Sequence, residues 1–241
     1  MKEKTKIIIG YSTNRDYQFI KTFNKHIKDT IGLSLKKNQY DILSVINTEG
    51  KSLTCVYNSL LDLAKKNNEN FILLLIHHDI HFKSKNWGKT LLNLFNNNDI
   101  DIIGQAGTDC IYENGTWWLG PDQKFNNKDL WGKVWHTDGK KEWKTDFTTP
   151  AKKCAKLQPV VAIDGVYIAL NPDTCLPFNN SITGFHFYDI SFCLDNFIAG
   201  KKIAVTETLP IVHESGGQLN QAWENNRKLI CTKYNLPIKL I

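Results

Sequence analysis

Arginine is almost missing from this chain. Arg15 and Arg227 are the only two, so the net charge of +6, from 30 basic and 24 acidic residues, rests on lysine. The lysines stand in isolated pairs such as Lys36-Lys37, Lys140-Lys141 and Lys201-Lys202 and never form a block. Nucleic-acid binders cluster their cations and use the planar guanidinium fork. No nucleic-acid partner is therefore expected, only a solvated basic surface with a mild pull on anions such as nucleoside diphosphates. Long apolar runs are missing as well. None approaches the ~20 residues that a membrane-spanning helix needs, and residues 1–6 lead into the first strand with no apolar leader. The six cysteines include no C-x-x-C pair, which removes zinc-ribbon and dithiol redox motifs. Free thiols in a cytoplasmic setting are expected, with peripheral membrane contact left open. Neither G-x-G-x-x-G nor G-x-x-x-x-G-K-S/T follows the first strand, so dinucleotide and P-loop sites are excluded. Repeats, low-complexity tracts and a clear linker are lacking too, and the 241 residues fit one domain, 1–241.

What is present centres on Phe71-Ile72-Leu73-Leu74-Leu75-Ile76-His77-His78-Asp79-Ile80-His81. Six apolar residues without polar alternation predict a strand buried on both faces. Three histidines and an aspartate follow at its carboxyl end, where ligands bind in open α/β sheets. Residues 6–11, 40–46, 71–76 and 100–104 read as strands. Residues 16–29, 53–64 and 87–95 read as helices, with Ser52 as an N-cap. That alternation predicts an α/β fold with a mainly parallel central sheet flanked by helices. Tyr11, Ser12 and Asn47 fall at strand ends, where a nucleoside base and ribose would sit.

The rhythm stops after Gly104. Residues 105–158 are rich in Gly, Asn, Asp, Lys and Trp and show little periodicity, so a long irregular segment is expected. Five of the seven tryptophans lie here: Trp117, Trp118, Trp131, Trp135 and Trp143. They form either a local mini-core or a platform for a flat ligand face such as a sugar ring. Regular structure resumes with a long strand over 159–170, interrupted at Asp164-Gly165. That interruption is either a bulge or an acceptor-side hydrogen-bonding point. A helix entered at Asp189 and closed by Gly200 follows, then a strand over 202–206, and a helix over 218–234 carrying Trp223.

Several separated stretches match one pattern, in order. They are Tyr57-Asn58-Ser59-Leu60, Ile76-His77-His78-Asp79-Ile80, Asp101-Ile102-Ile103-Gly104-Gln105-Ala106-Gly107 and Ile163-Asp164-Gly165-Val166-Tyr167-Ile168-Ala169. Gly184-Phe185-His186-Phe187-Tyr188-Asp189-Ile190-Ser191-Phe192-Cys193 and Val212-His213-Glu214-Ser215-Gly216-Gly217 complete it. The chain resembles the family-2-like glycosyltransferases of the GT-A fold, specifically the small single-domain bacterial and viral members. The resemblance implies a GT-A type Rossmann-like sandwich, with a nucleotide-sugar-binding half over about 1–104 and an acceptor-side half over about 105–241. It implies a nucleotide-sugar donor, with a UDP-sugar favoured, and a glycan, lipid-linked or protein acceptor in glycan biosynthesis. A divalent cation would bridge the donor diphosphate.

Where that family carries an aspartate cluster, this chain has His77-His78-Asp79, and imidazole favours Mn²⁺ over Mg²⁺. The implied metal set is Asp79, His78 and His213. His77 and His81 rank behind His78, since side chains alternate in direction along an extended segment. Tyr11, Ser12, Asn47, Asn58, His78 and Asp79 are the donor-side set. Asp189 is the implied general base of an inverting transfer, with Asp164, Trp117, Trp118 and His186 on the acceptor side. Two rival readings stand beside this one. The His-His-Asp-x-His cluster points to a metal-dependent hydrolase or nucleotidyltransferase, although G-D-x-x-D and G-N-H motifs are missing. The tryptophans point to a carbohydrate-binding module, which would leave Asp79 and Asp189 unused.

Overall fold

The computed structural model describes residues 4–126, 128–149, 152–214 and 219–240. The first half follows the expected alternation: β1 (Lys6–Thr13), α1 (Tyr17–Thr30), β2 (Tyr40–Ile46), α2 (Leu53–Asn67) and β3 (Phe71–Ile76). A short β4 (Ile80–Phe82) precedes α3 (Trp87–Asn96) and β5 (Ile102–Gly104). Next come β6 (Ala106–Thr108), β7 (Cys110–Ile111), β8 (Leu130–Thr137), β9 (Glu142–Asp146), β10 (Gln158–Pro159), β11 (Ala162–Ile163) and β12 (Tyr167–Leu170). The last elements are α4 (Tyr188–Ile198), β13 (Ile203–Val205), β14 (Ile211–His213), α5 (Gln221–Lys233) and β15 (Ile238–Lys239). Asp16 caps α1 by accepting from the Phe19 N–H. Ser52 occupies the N-cap of α2, but its hydroxyl accepts from Gly184 N–H at 2.9 Å, which ties α2 to the segment entering α4.

The central sheet has the order β10-β13-β5-β12-β3-β1-β2. β3 lies inside it, and all six of its residues are buried. Ile72, Leu74 and Ile76 pack with residues of α1 and α3, while Phe71, Leu73 and Leu75 pack with residues of α2 and α4. Full burial of such a side chain contributes about 1.5–3 kcal/mol. An unbroken apolar run is what two oily faces require.

The expected mainly parallel sheet is in fact mixed. β1 pairs parallel with both β2 and β3, and β13 pairs parallel with β5. β12, however, is inserted antiparallel between β3 and β5, and β10 is antiparallel on the edge. No helix leads into β12; the chain enters it directly from a second sheet through the Asp164-Gly165 turn. An antiparallel strand starts where its neighbour ends. Asp164, Gly165 and Val166 are thereby set beside the carboxyl end of β3, where His77 N–H donates to Val166 O at 3.2 Å.

Residues 105–158 are also more regular than expected. A second sheet of order β11-β6-β8-β14-β4 runs through them, with β9 paired to β8. Burial alternates at Leu130, Gly132 and Val134, a period-two pattern hidden by the glycine. Asp138-Gly139 is a hairpin signal, with Gly139 at φ +82°. Trp131 and Trp135 lie half-buried on the other face, each beneath a lysine: Lys152 Nζ lies 4.0 Å from the Trp131 ring and Lys83 Nζ 4.3 Å from that of Trp135. The expected single strand over 159–170 is three short ones in alternate sheets. The last helix begins at Gln221. Ser215, Gly216, Gly217 and Gln218 lie outside the described residues.

Candidate active site

The site forms where β3 stops. His78 and Asp79 form a turn directly after the strand, and the turn brings Asp79 to the side of His77 while His78 faces Ser12. β14 pairs antiparallel with β4, placing His213 opposite Ile80, and Glu214 N–H donates to Asp79 O at 3.0 Å. The ligand atoms of His77, Asp79 and His213 lie within 4.8 Å of one another. His213 Nε2 is 3.5 Å, and His77 Nδ1 3.9 Å, from Asp79 Oδ1. Two imidazole nitrogens and a carboxylate oxygen converging in this way suit a divalent cation with bonds of about 2.0–2.6 Å. The expected set contained His78, and the geometry replaces it with His77. His78 Nδ1 instead lies 3.2 Å from Ser12 O, and its ring meets Phe19 edge-on at 5.5 Å. Burial, and behind it His213, holds the pKa of His77 well below its ordinary value, so that imidazole is neutral. Burial works against protonation of His213 too, but the hydrogen bond and charge of Asp79 outweigh it and raise its pKa.

A cavity of about 350 Å³ opens on the side of β1 and β2, and Ser12, Asn47, His78 and Asp79 line it as anticipated. Asn47 also closes its loop, donating to Lys51 O and accepting from Lys51 N–H, both at 2.8 Å. Tyr11 does not reach this cavity. It is wholly buried, and its hydroxyl donates to Asn24 Oδ1 at 2.8 Å, because it alternates with Ser12. Asn58 does not reach it either. Its amide donates to Phe178 O and accepts from Phe178 N–H, both at 2.8 Å, pinning that loop to α2. The unanticipated lining residues include Thr13, Asn14 and Thr48, whose only signal was their place in the same polar strand ends.

A second cavity of about 470 Å³ lies on the other side of His77. Asp164, Asp189, His186, Trp117 and Trp118 all line it, with Phe187, Leu219 and Trp223 as additions that the sequence did not single out. The two tryptophans differ in burial. Trp117 is buried against Phe147 at 5.2 Å, whereas Trp118 is partly open and faces Trp223 at 6.2 Å. Asp164 is both turn and wall, since its Oδ1 accepts from Val166 N–H at 3.0 Å while it lines the cavity. Asp189 opens α4 and is partly exposed to the cavity. Its Oδ2 accepts from Gly165 N–H at 2.8 Å and its Oδ1 from Ile190 N–H at 2.9 Å. Burial, then the charge of Asp164, pushes its pKa up to about 7 against those two hydrogen bonds. No lysine or arginine is among the described residues lining this cavity. His77 and Phe185 line both cavities. His136, for which the sequence gave no signal, lies close by, its ring 6.3 Å from that of His213.

The mixed α/β sheet thus sets a His-Asp-His cluster at one strand end, between two cavities that share His77 and Phe185. The sequence pattern of the glycosyltransferase-like family matches residues 21–234, and the chain belongs to that family. The reading as a glycosyltransferase stands, and the hydrolase and binding-module readings give way to it. No curated protein matches the chain. Among solved structures, GalNAc-T7 with UDP, GalNAc and Mn²⁺ is similar at a TM-score of 0.59 and 10% identity, covering 94% of this chain and 48% of that one. The mannosyltransferase PcManGT from Pyrobaculum calidifontis, in complex with GDP-Man and Mn²⁺, gives 0.47 and 10%, covering 92% and 60%. A197 from STIV gives 0.46 and 12%, covering 88% and 86%. This chain thus spans about half the length of the GalNAc-T7 chain. At 10% identity the likeness to GalNAc-T7 is one of fold.

Proposed function

We propose that this chain transfers a sugar from a nucleotide-sugar donor to a hydroxyl of a glycan, with inversion and with divalent-cation support. The observation that carries the proposal is the pair of cavities meeting at His77 and Phe185. The polar cavity, with Ser12, Asn47, His78 and Asp79, is the donor side; the aromatic one, with Asp189, is the acceptor side. The fold shared with GalNAc-T7, a structure holding UDP and Mn²⁺, makes a UDP-sugar the first donor to try. His77, Asp79 and His213 would hold the cation, and two imidazoles favour Mn²⁺ over Mg²⁺. When bound, the cation supplies positive charge to the departing diphosphate.

The chain's own groups do the rest. Asp189 accepts the proton of the acceptor hydroxyl, whose oxygen bonds to the anomeric carbon as the bond from that carbon to the diphosphate breaks. A carboxylate lifted to about 7 is well matched to this task. Asp164 and Asp189, in a cavity whose described lining holds no lysine or arginine, disfavour an anionic acceptor at this point. Trp118 and Trp223 offer ring faces to a sugar, which favours a glycan over a phosphate-bearing lipid headgroup or an acidic peptide. Among the described residues no helix is long and apolar enough to cross a membrane. A cytoplasmic setting remains part of the proposal and rests on six free cysteines. A panel of UDP-, GDP- and dTDP-sugars offered with neutral oligosaccharides and Mn²⁺ tests the whole reading. Glycosylated product from one donor supports it; a donor that is bound yet only hydrolysed, whatever the acceptor, counts against it.

A further inference from the structure

Tyr188 entered the sequence reading only as the residue before Asp189. Its ring is enclosed, 3% exposed, and meets Tyr57 edge-on at 5.5 Å. Its hydroxyl lies 2.9 Å from Gly165 O and 2.7 Å from His77 Nε2, and it also shares a hydrogen bond with the Tyr57 hydroxyl, which has a proton of its own to give. A carbonyl oxygen can only accept, so the single phenolic proton goes to Gly165. The phenolic oxygen must then accept from His77 Nε2, which therefore carries the imidazole hydrogen. In the neutral ring this leaves the Nδ1 lone pair free, and Nδ1 is the atom facing Asp79 Oδ1 at 3.9 Å. The hydrogen bond at one ring nitrogen decides which form of the ring a metal meets.

The chain of bonds does not stop there. Gly165, whose carbonyl takes the Tyr188 proton, gives its own N–H to Asp189 Oδ2 at 2.8 Å. Its lack of a side chain is a separate sign of the same arrangement. A Cβ on Gly165 would lie 2.2 Å from the Tyr188 hydroxyl oxygen and 2.9 Å from Asp189 Cβ, closer than real contacts allow. The turn carries a glycine because the tyrosine hydroxyl and the aspartate occupy the space.

We infer that Tyr188 is a positioning residue: its hydroxyl holds His77 in the tautomer that presents Nδ1 to a divalent cation and, through Gly165, ties that cluster to Asp189. This rests on the metal reading given above. Tyr188→Phe keeps the ring and its packing and removes only the hydroxyl. Two measurements on the full chain decide the matter. Nitrogen-15 NMR of the metal-free parent should show His77 as the Nε2–H tautomer, and Tyr188→Phe should lose that preference. Mn²⁺ affinity, read from the electron paramagnetic resonance of free Mn²⁺, should fall by about 10–100-fold in the variant, the usual effect of removing a group that orients a metal ligand.

An Nδ1–H tautomer in the parent overturns the inference, and so does Mn²⁺ affinity within twofold of the parent in a folded Tyr188→Phe protein. If the variant does not fold, the tautomer in the parent decides alone. A parent that binds no Mn²⁺ defeats the metal reading and this inference together. Mn²⁺ binding that ignores Tyr188 defeats this inference only.

Discussion

The two cavities that share His77 and Phe185 are assembled from different parts of the chain. The first cavity is made mainly by the polar ends of β1, β2 and β3, taken in order along the chain, with Leu53, Tyr57 and Phe185 closing it. The second cavity gathers Trp118, Asp164, the segment entering α4, His213 and Trp223 from five separate stretches, and aromatic rings form much of its wall. The difference suits the proposed roles. A nucleotide and diphosphate call for many small polar partners. A neutral hydroxyl that must lose a proton calls for a carboxylate in apolar surroundings. Asp79 stands among imidazoles and Asp189 among rings and a second carboxylate, so one residue type serves two purposes through its surroundings.

The comparison can be broken first at Asp189. Asp189→Asn should lower turnover by ~10²–10⁴-fold, the usual contribution of general base catalysis, with donor affinity nearly unchanged. Asparagine keeps one side-chain oxygen to accept from the Gly165 or Ile190 N–H, so near-full activity would leave Asp189 a structural role alone. On the donor side, His77→Ala should weaken Mn²⁺ binding by about tenfold or more, while His78→Ala should leave it nearly unchanged. The reverse result would restore His78 to the metal set.

The two adjacent tryptophans offer a smaller test. Trp118→Ala should raise the KM for a glycan acceptor by about 3–10-fold, as the loss of ~0.5–1.5 kcal/mol of aromatic contact implies. Trp117→Ala should instead cost ~3–5 kcal/mol of stability, because its indole is core. Denaturant titration and acceptor kinetics on the two variants would show whether wall and core have been told apart.

The smallest expected effect concerns pH. The base works deprotonated, so kcat/KM should rise with pH through about 7. Asp164 raises that value by its negative charge, and Asp164→Asn should move the rise to lower pH. A rise that stays put, or moves up, would remove Asp164 from the environment of the base.

How far these features were legible depended on whether local pattern or long-range assembly made them. The unbroken run 71–76 announced a strand buried on both faces, and Tyr40–Ile46 fell where alternation put it. β12 could not be read as antiparallel, since Tyr167-Ile168-Ala169-Leu170 says nothing about its direction beside β3. β8 was concealed by Gly132 at an inward position and by tryptophans held half-buried on the other face under lysines. The same contrast marks the site. Asp79, Asp164, Asp189 and His213 were recognisable from their motifs. The choice of His77 over His78 needed the strand's actual turn of direction, and Tyr11 differed from its neighbour Ser12 only in the side on which it emerged. Trp223 and Tyr188 carried no signal of their own, because their roles arise from contacts with residues more than a hundred and more than twenty positions away.

The central claim is that the polar cavity holds a nucleoside diphosphate together with a cation on His77, Asp79 and His213. Calorimetric titration of the chain with UDP, with and without Mn²⁺, tests it most directly, repeated on Asp79→Ala. The account predicts clear binding to the parent with Mn²⁺, much weaker binding without it, and no Mn²⁺ effect in Asp79→Ala. UDP affinity that is the same with and without Mn²⁺, and the same in parent and variant, would contradict it.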